Sequence, residues 1–330
     1  MKLKILSNNN IRQVISMRQA IDCVREAFIQ LSTRKAEMPL RTVVSVQPRG
    51  GTALFMPAYL MSSDALGAKI VTVFPENSKS NLPIIHAIVV IINTETGQPM
   101  AIMDGTYLTA LRTGAASGVA TELMARTGAS MVAILGAGVQ ARTQLEAVCT
   151  VHAIDKVLVY DCVQERAESY VKEMKVRGSP IPERIFVAES PTRAVRNADI
   201  ICTATTSTTP VFNDGDLKKG VHINSVGSYT PQMQEVPAPT VSRAKVVVDS
   251  RSASLAEAGD LIVPLKDGII NTDHIHGEIG EVAAGKIPGR ESEDEITFFK
   301  SVGLAVQDVA VAEFIRQRSE EQGVGTDVEL

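Results

Sequence analysis

One stretch constrains the fold more than any other. Val132-Ala133-Ile134-Leu135 runs without a break into Gly136-Ala137-Gly138-Val139-Gln140-Ala141, and helical spacing follows at once. A β-rich tetrapeptide leading into GxGxxA is the strand–turn–helix junction that receives the pyrophosphate of a dinucleotide. Gly136 allows the tight turn, Gly138 lets backbone approach a phosphate without a Cβ, and Ala141 lets the helix pack close to the strand. The N–H groups at the helix start, with Ala137, Val139 and Gln140 around them, are left to hold the anion. A lone GxGxxA also fits an ordinary glycine turn, so its context decides. The next strand ends at Asp161, about 20 residues past the second glycine, where a carboxylate accepts hydrogen bonds from the adenine ribose. That carboxylate repels a 2′-phosphate, and the next residue is Cys162 and not arginine. Arg166, one turn further on, is placed to offset the repulsion. NAD(H) is therefore favoured, with NADP(H) left open.

The rhythm of the chain changes around this motif. Residues 16–31 carry Met17, Ile21, Val24, Phe28 and Leu31 at helical spacing, with Ser16 as N-cap. Residues 41–103 break into short β-rich runs, and 93–97 makes a glycine-containing hairpin loop. The stretch 107–126 is helical, and its small residues 113–118 permit close packing against a neighbouring backbone. From 131 onwards, strands 131–135, 157–160, 185–187, 200–203, 221–226 and 246–248 alternate with helices, which implies a parallel sheet with right-handed crossovers. Residues 294–322 read as a further long helix, with Phe298, Val302, Leu304 and Val309 on its apolar face, and the tail after Gly323 reads as frayed. The expected class is α/β: a Rossmann doubly wound parallel sheet, preceded by a helix with an antiparallel sheet. Two further strand ends face the same crevice, Thr203-Ala204-Thr205 and Val226-Gly227-Ser228, since ligands bind at the carboxyl ends of such strands.

Bulk chemistry narrows the partners. A chain of 330 residues suggests about two domains. A net charge of −4 offers no broad attraction to phosphate backbones, so nucleic acid is not expected as a partner. The longest apolar run, 87–92, falls far short of the ~20 residues of a membrane helix, and the first ten residues lack a signal peptide's apolar core. No membrane association and a cytoplasmic location are expected. Cys23, Cys149, Cys162 and Cys202 form no CxxC pair, which points to free thiols and no metal site.

Several stretches now match one family together. They are Gly67-Ala68-Lys69, Leu111-Arg112-Thr113-Gly114-Ala115, the 136–141 turn, residues 199–205, Gly227-Ser228-Tyr229-Thr230-Pro231, Glu278-Ile279-Gly280-Glu281 and Lys300-Ser301-Val302-Gly303. In this order, over nearly the whole chain, they resemble the ornithine cyclodeaminase/μ-crystallin family. The resemblance implies a homodimer. It implies a substrate-binding and dimerisation domain of α+β type from 1–117 with 302–330, and an inserted Rossmann domain over 118–301. It also implies hydride transfer between nicotinamide and the α-carbon of an amino or imino acid, with Arg112, Thr113 and Val302 joining the cofactor contacts. In the family's cyclodeaminases a catalytic Asp stands two residues before the proline of the glycine-rich loop; here that position is Tyr229. The departure counts against cyclodeaminase chemistry. The run Gly227 to Glu235 resembles instead the bacterial members that reduce a cyclic ketimine, Δ1-pyrroline-2-carboxylate, to L-proline. The larger ring, Δ1-piperideine-2-carboxylate to L-pipecolate, stays open. So do an alanine-dehydrogenase-like or cyclodeaminase activity, and a μ-crystallin-like role of holding the nucleotide without turnover.

A cyclic imino acid brings a carboxylate that needs a cationic clamp and a nitrogen that is more reactive when protonated. Arg41, Lys69 and Arg112 match the family's substrate positions. The two arginines can fork onto a carboxylate, and Arg112 serves the cofactor equally well. Lys69 lies in the apolar run Ala68-Lys69-Ile70-Val71. Burial there would lower its pKa and make it a competent acid. Met56 and Pro57 are expected to wall the pocket. His86 reads as a sheet histidine. His274 and His276, with Glu278 and Glu281, read as capping and solvated side chains, and Asp260 as structural.

Overall fold

The computed structural model describes residues 1–80 and 82–330. Its strands, in chain order, are β1 Lys2–Leu6, β2 Ala36–Glu37, β3 Thr42–Val46, β4 Gly51–Leu60, β5 Ala65–Val73, β6 Ile85–Ile92, β7 Pro99–Asp104, β8 Met131–Leu135, β9 Lys156–Tyr160, β10 Ile185–Val187, β11 Ile200–Thr203, β12 His222–Ser225, β13 Lys245–Val248, β14 Ile275–Glu278, β15 Thr297–Lys300 and β16 Thr326–Glu329. The chain forms two compact units, Met1–Arg112 with Leu304–Leu330, and Thr113–Gly303.

In the first unit the order is β16-β1-β7-β6-β5-β4, with β2 and β3 both pairing β4. All pairs are antiparallel except β1 with β7. Alternation sets the two faces. Met56, Ala58 and Leu60 of β4, Gly67, Lys69 and Val71 of β5, and Val89 and Ile91 of β6 are buried. The Ala305–Glu321 helix packs on this side, against β4, β5 and β6. The opposite face leaves Val44, Phe55 and Ile88 exposed. The Met17–Ser32 helix begins at Ser16, whose hydroxyl accepts from Gln19 N while the Gln19 side chain accepts from Ser16 N. This capping box satisfies two otherwise orphaned donors.

The second unit is a parallel sheet in the order β10-β9-β8-β11-β12-β15-β13-β14. Strand order reverses between β8 and β11, and the crevice at such a switch point is where open α/β sheets bind ligands. The Val139–Val151 helix leaves β8 directly. Gly114 lies so close to this helix that a Cβ there would collide with the Thr143 carbonyl oxygen, the tight approach expected of the small residues at 113–118.

Three stretches differ from the sequence expectation. Residues 294–322 are not one helix: 297–300 is β15, and the helix begins only at Ala305. Thr297, Phe298, Phe299 and Lys300 are all buried, as a strand covered on both faces must be, and Gly303 breaks the run at φ +82°. The tail is not frayed; β16 pairs antiparallel with β1. The His274–Glu281 region includes the edge strand β14, which the sequence reading did not mark.

His222 opens β12 with no exposed surface, its ring nitrogens 2.9 Å from Thr297 Oγ1 and 3.1 Å from Asn224 Oδ1. Burial, and then the Arg290 charge, pulls its pKa from 6.5 down to about 3. The folded ring therefore stays neutral where the unfolded chain takes up a proton. Its contribution to stability is complete above pH 6.5 and is lost as pH falls towards 3. The wild-type unfolding free energy from urea titration should fall across that interval, by at most about 1.4 kcal/mol per pH unit from this group. His222→Asn, which cannot titrate, should show the shallower slope.

Candidate functional site

The glycine turn of the second unit has the form its sequence suggests. Gly136 sits at φ +90°, where an L side chain is strained, and a Cβ there would stand 2.7 Å from the Ala204 carbonyl oxygen and 2.8 Å from Thr205 Cγ2. The 136–138 turn thus lies against the 203–205 loop at the switch point. A Cβ on Gly138 would meet nothing within 4 Å. Gly138 is the N-cap of the Val139–Val151 helix and lends it no side-chain bond. The mouth of that helix combines open space with free N–H donors, which is what a pyrophosphate needs. Ala141 is fully buried against the strand side, while Val139 is exposed and Gln140 half-buried.

Asp161 is joined to this turn. Its carboxylate accepts from Ala137 N at 2.8 Å and from Val163 N at 2.9 Å. Cys162 and Arg166 are exposed beyond it. Arg142 was not among the expected residues, yet its Nη1 donates to Gly138 O at 2.7 Å and its Nε to Glu173 at 2.7 Å, which steadies the turn. Its place four residues after Gly138 was the available signal.

The loops after β11 and β12 share one buried anchor, Glu235. Its carboxylate accepts from Thr203 Oγ1 at 2.9 Å, Thr205 N at 2.6 Å, Ser225 Oγ at 3.0 Å, Gly227 N at 2.7 Å and Ser228 N at 3.2 Å. Asp260 accepts from the backbone N–H of Glu235 and Val236 and pairs with Lys300 at 3.1 Å, all without exposed surface. Burial raises the pKa of Glu235; the nearby Lys300 charge opposes this and the Asp260 charge adds to it. Removing one member of such a cluster leaves a buried charge unmatched. Asp260 therefore has the structural role expected, whereas Glu235 and Lys300 appeared in the sequence only as parts of motifs. Tyr229 lies at the exposed tip of its loop, at 38%. Val302 is buried, and its N–H donates to Asp249 at 2.8 Å. Thr113 is also buried, its carbonyl accepting from Gln144 Nε2 at 3.2 Å.

The first unit holds the cations. Lys69, on the buried face of β5, is 2% exposed. Its Nζ lies 2.7 Å from Asp308 Oδ2. Arg112, on the Gly105–Met124 helix, donates from Nε to Asp308 Oδ1 at 3.0 Å and from Nη1 to Gln307 Oε1 at 2.8 Å. Arg41 is near enough for its charge to act on Lys69. Lys69 and Arg112 are brought together on Asp308, whereas the charge of Arg41 is the smallest of the influences on Lys69. Asp308 and Gln307 are the residues the sequence reading missed. Burial, then Arg112, lowers the pKa of Lys69 to about 7, with Asp308 holding it up. A cationic cluster sharing Asp308 suits a small carboxylate, and an amine poised near neutrality suits proton transfer.

Met56 lies directly across from Lys69 in the β4–β5 register and is buried, but Pro57 points to the opposite face and is exposed, so the two do not line one wall. His86 is exposed on that same opposite face. His274 Nε2 lies 2.7 Å from Val241 O, and His276 Nε2 lies 3.0 Å from Pro288 O. Glu278 and Glu281 form a capping box. Among the described residues no three His, Cys, Asp or Glu side chains are grouped to hold a metal ion, and no helix is long and apolar enough to cross a membrane.

The model of the ornithine cyclodeaminase/mu-crystallin family matches residues 1–323. A Δ1-pyrroline-2-carboxylate reductase of Bacillus cereus is 42% identical over 328 residues, covering 99% of each chain. The structure of Thermococcus litoralis Δ1-pyrroline-2-carboxylate reductase in complex with NADH and L-proline superposes with a TM-score of 0.94 at 45% identity, over 98% of this chain and 100% of that one. An archaeal alanine dehydrogenase dimer with bound NAD superposes at 0.93 and 36% identity, over 100% of each.

Proposed function

The chain belongs to the ornithine cyclodeaminase/mu-crystallin family, and from that premise we propose that it is an NADH-dependent ketimine reductase. It reduces Δ1-pyrroline-2-carboxylate to L-proline, and the same chemistry extends to Δ1-piperideine-2-carboxylate and L-pipecolate. The observation that carries this reading is the buried Lys69 amine, 2.7 Å from Asp308 and lowered to about 7. When bound, NADH supplies the hydride that the imine carbon accepts. Arg112 and Arg41 hold the substrate carboxylate. Lys69 gives the proton that the ring nitrogen needs as C=N becomes CH–NH, and Asp308 keeps the ammonium form populated. The 136–140 turn and the mouth of the Val139–Val151 helix hold the pyrophosphate, Asp161 the adenine ribose, and the 203–205 and 226–228 loops the nicotinamide half, with Thr113 and Val302 beside them. Tyr229, at the place of the cyclodeaminase carboxylate, supports a reductase over ring-forming deamination.

A steady-state assay tests this. Oxidation of NADH by Δ1-pyrroline-2-carboxylate, with none by pyruvate plus ammonia, is the expected pattern. Ammonia release from ornithine would overturn the reading of Tyr229. Tight NADH binding with no turnover of any imine would point to a binding protein instead. Asp161→Ser removes the charge that repels a 2′-phosphate, so the ratio of kcat/KM for NADH to that for NADPH should fall by about tenfold or more, worth about 1.4 kcal/mol.

The active form is read as a homodimer, with the first unit as substrate-binding and dimerisation domain and the second as the nucleotide-binding domain. The exposed sheet face carrying Val44 (48%), Phe55 (41%) and Ile88 (42%) supports this, because monomers rarely leave so apolar a face uncovered. Light scattering should give twice the chain mass. The four free cysteines agree with a reducing cytoplasm.

A further inference from the structure

We infer that the Nε2 amide of Gln307 is a substrate-binding donor that holds a carboxylate oxygen of the cyclic imino acid beside Arg112. The inference rests on the ketimine reductase reading and deepens it. Gln307 lies in the first turn of the Ala305–Glu321 helix and has no exposed surface. Its Oε1 accepts from Arg112 Nη1 at 2.8 Å and from Leu304 N at 3.0 Å. Both partners are N–H donors, so the orientation of the amide is determined: a flipped amide would set donor against donor. Nε2 is thereby fixed as a donor, and it is buried without a hydrogen-bond partner. An orphaned buried donor is destabilising, and proteins retain such groups where a ligand completes them.

The surroundings name the acceptor. The same amide holds the guanidinium of Arg112, and the next residue, Asp308, bridges Arg112 and Lys69. A donor beside clustered cations calls for an anion. Of the groups a cyclic imino acid carries, the ring methylenes accept nothing, and the nitrogen at the moment of reduction takes a proton from Lys69. The carboxylate alone offers strong acceptor oxygens in number.

The test is Gln307→Glu. This nearly isosteric change keeps an oxygen for Arg112 and Leu304 N but turns the donor edge into an anionic acceptor. The KM for Δ1-pyrroline-2-carboxylate and the inhibition constant of L-proline should each rise by about tenfold or more, while the NADH Kd changes less than about twofold and the thermal midpoint does not fall. Unchanged KM and inhibition constants would overturn the inference, as would a rise confined to the NADH Kd, which would give the donor to the nicotinamide amide. Should the variant not fold, a crystal structure of the wild-type enzyme with NADH and L-proline decides. Nε2 at about 3 Å from a carboxylate oxygen supports the inference, and separation beyond hydrogen-bond reach overturns it. Failure of the wild-type chain to bind L-proline or reduce the imine would instead sink the parent reading and this one with it.

Discussion

Lys69→Met is expected to lower kcat for imine reduction by roughly 10²–10⁴-fold, the usual contribution of a positioned general acid, while leaving NADH affinity unchanged. Methionine fills a similar volume without charge or proton, so the loss should not reflect a cavity. The pH profile gives a second readout. A donor must be protonated to act, and the Lys69 amine sits at about 7. Wild-type kcat/KM should hold below that value and fall about tenfold per pH unit above it. The variant should lack this limb. A bound carboxylate adds negative charge near the amine, so the corresponding limb in kcat should lie at higher pH. A variant that keeps both the rate and the limb would remove Lys69 from the mechanism.

The second large effect concerns Asp308, which has no exposed surface and meets both Lys69 and Arg112. Asp308→Asn keeps the shape and removes the charge. Breaking a buried ion pair from one side costs about 3–5 kcal/mol. Lys69 can shed its proton and escape part of that cost, but Arg112 cannot, so the loss should fall near the lower end. Denaturant titration should register it as a lower midpoint with an unchanged slope. Because Asp308 holds the Lys69 pKa up, its removal must push that pKa below 7. The basic limb of kcat/KM should therefore move to lower pH. Equal stability with an unmoved limb would refute the assigned pairing.

Local chemistry made the nucleotide site legible. Gly136, Gly138 and Asp161 owe their placement to one turn and the strand that follows, so a short window of sequence contains the whole argument. Lys69, Arg41 and Arg112 were found only through the family resemblance, since a lone cation says nothing about burial. Asp308 was invisible because its meaning comes from partners such as Arg112, 196 residues away. Glu235 was hidden for the same reason: its carboxylate fastens two loops that only the sheet brings side by side. The error at 297–300 has another cause. A strand buried on both faces shows no alternation, and Phe298-Phe299 fits a helix of the same polarity equally well. β15 also enters the sheet out of sequence order, between β12 and β13, which no local pattern announces.

The pairing of β1 with β16 has a practical consequence. Met1 N donates to Leu330 O at 2.6 Å, and Lys2 and Lys4 both reach Asp327. Residues 1 and 330 therefore lie side by side at one sheet edge. A linker of a few residues could close the backbone into a ring with little strain, and fresh ends could then be opened at an exposed loop such as 93–97. A circular permutant made this way should keep its thermal midpoint, whereas a bulky tag fused at residue 1 or residue 330 would crowd the strand beside it.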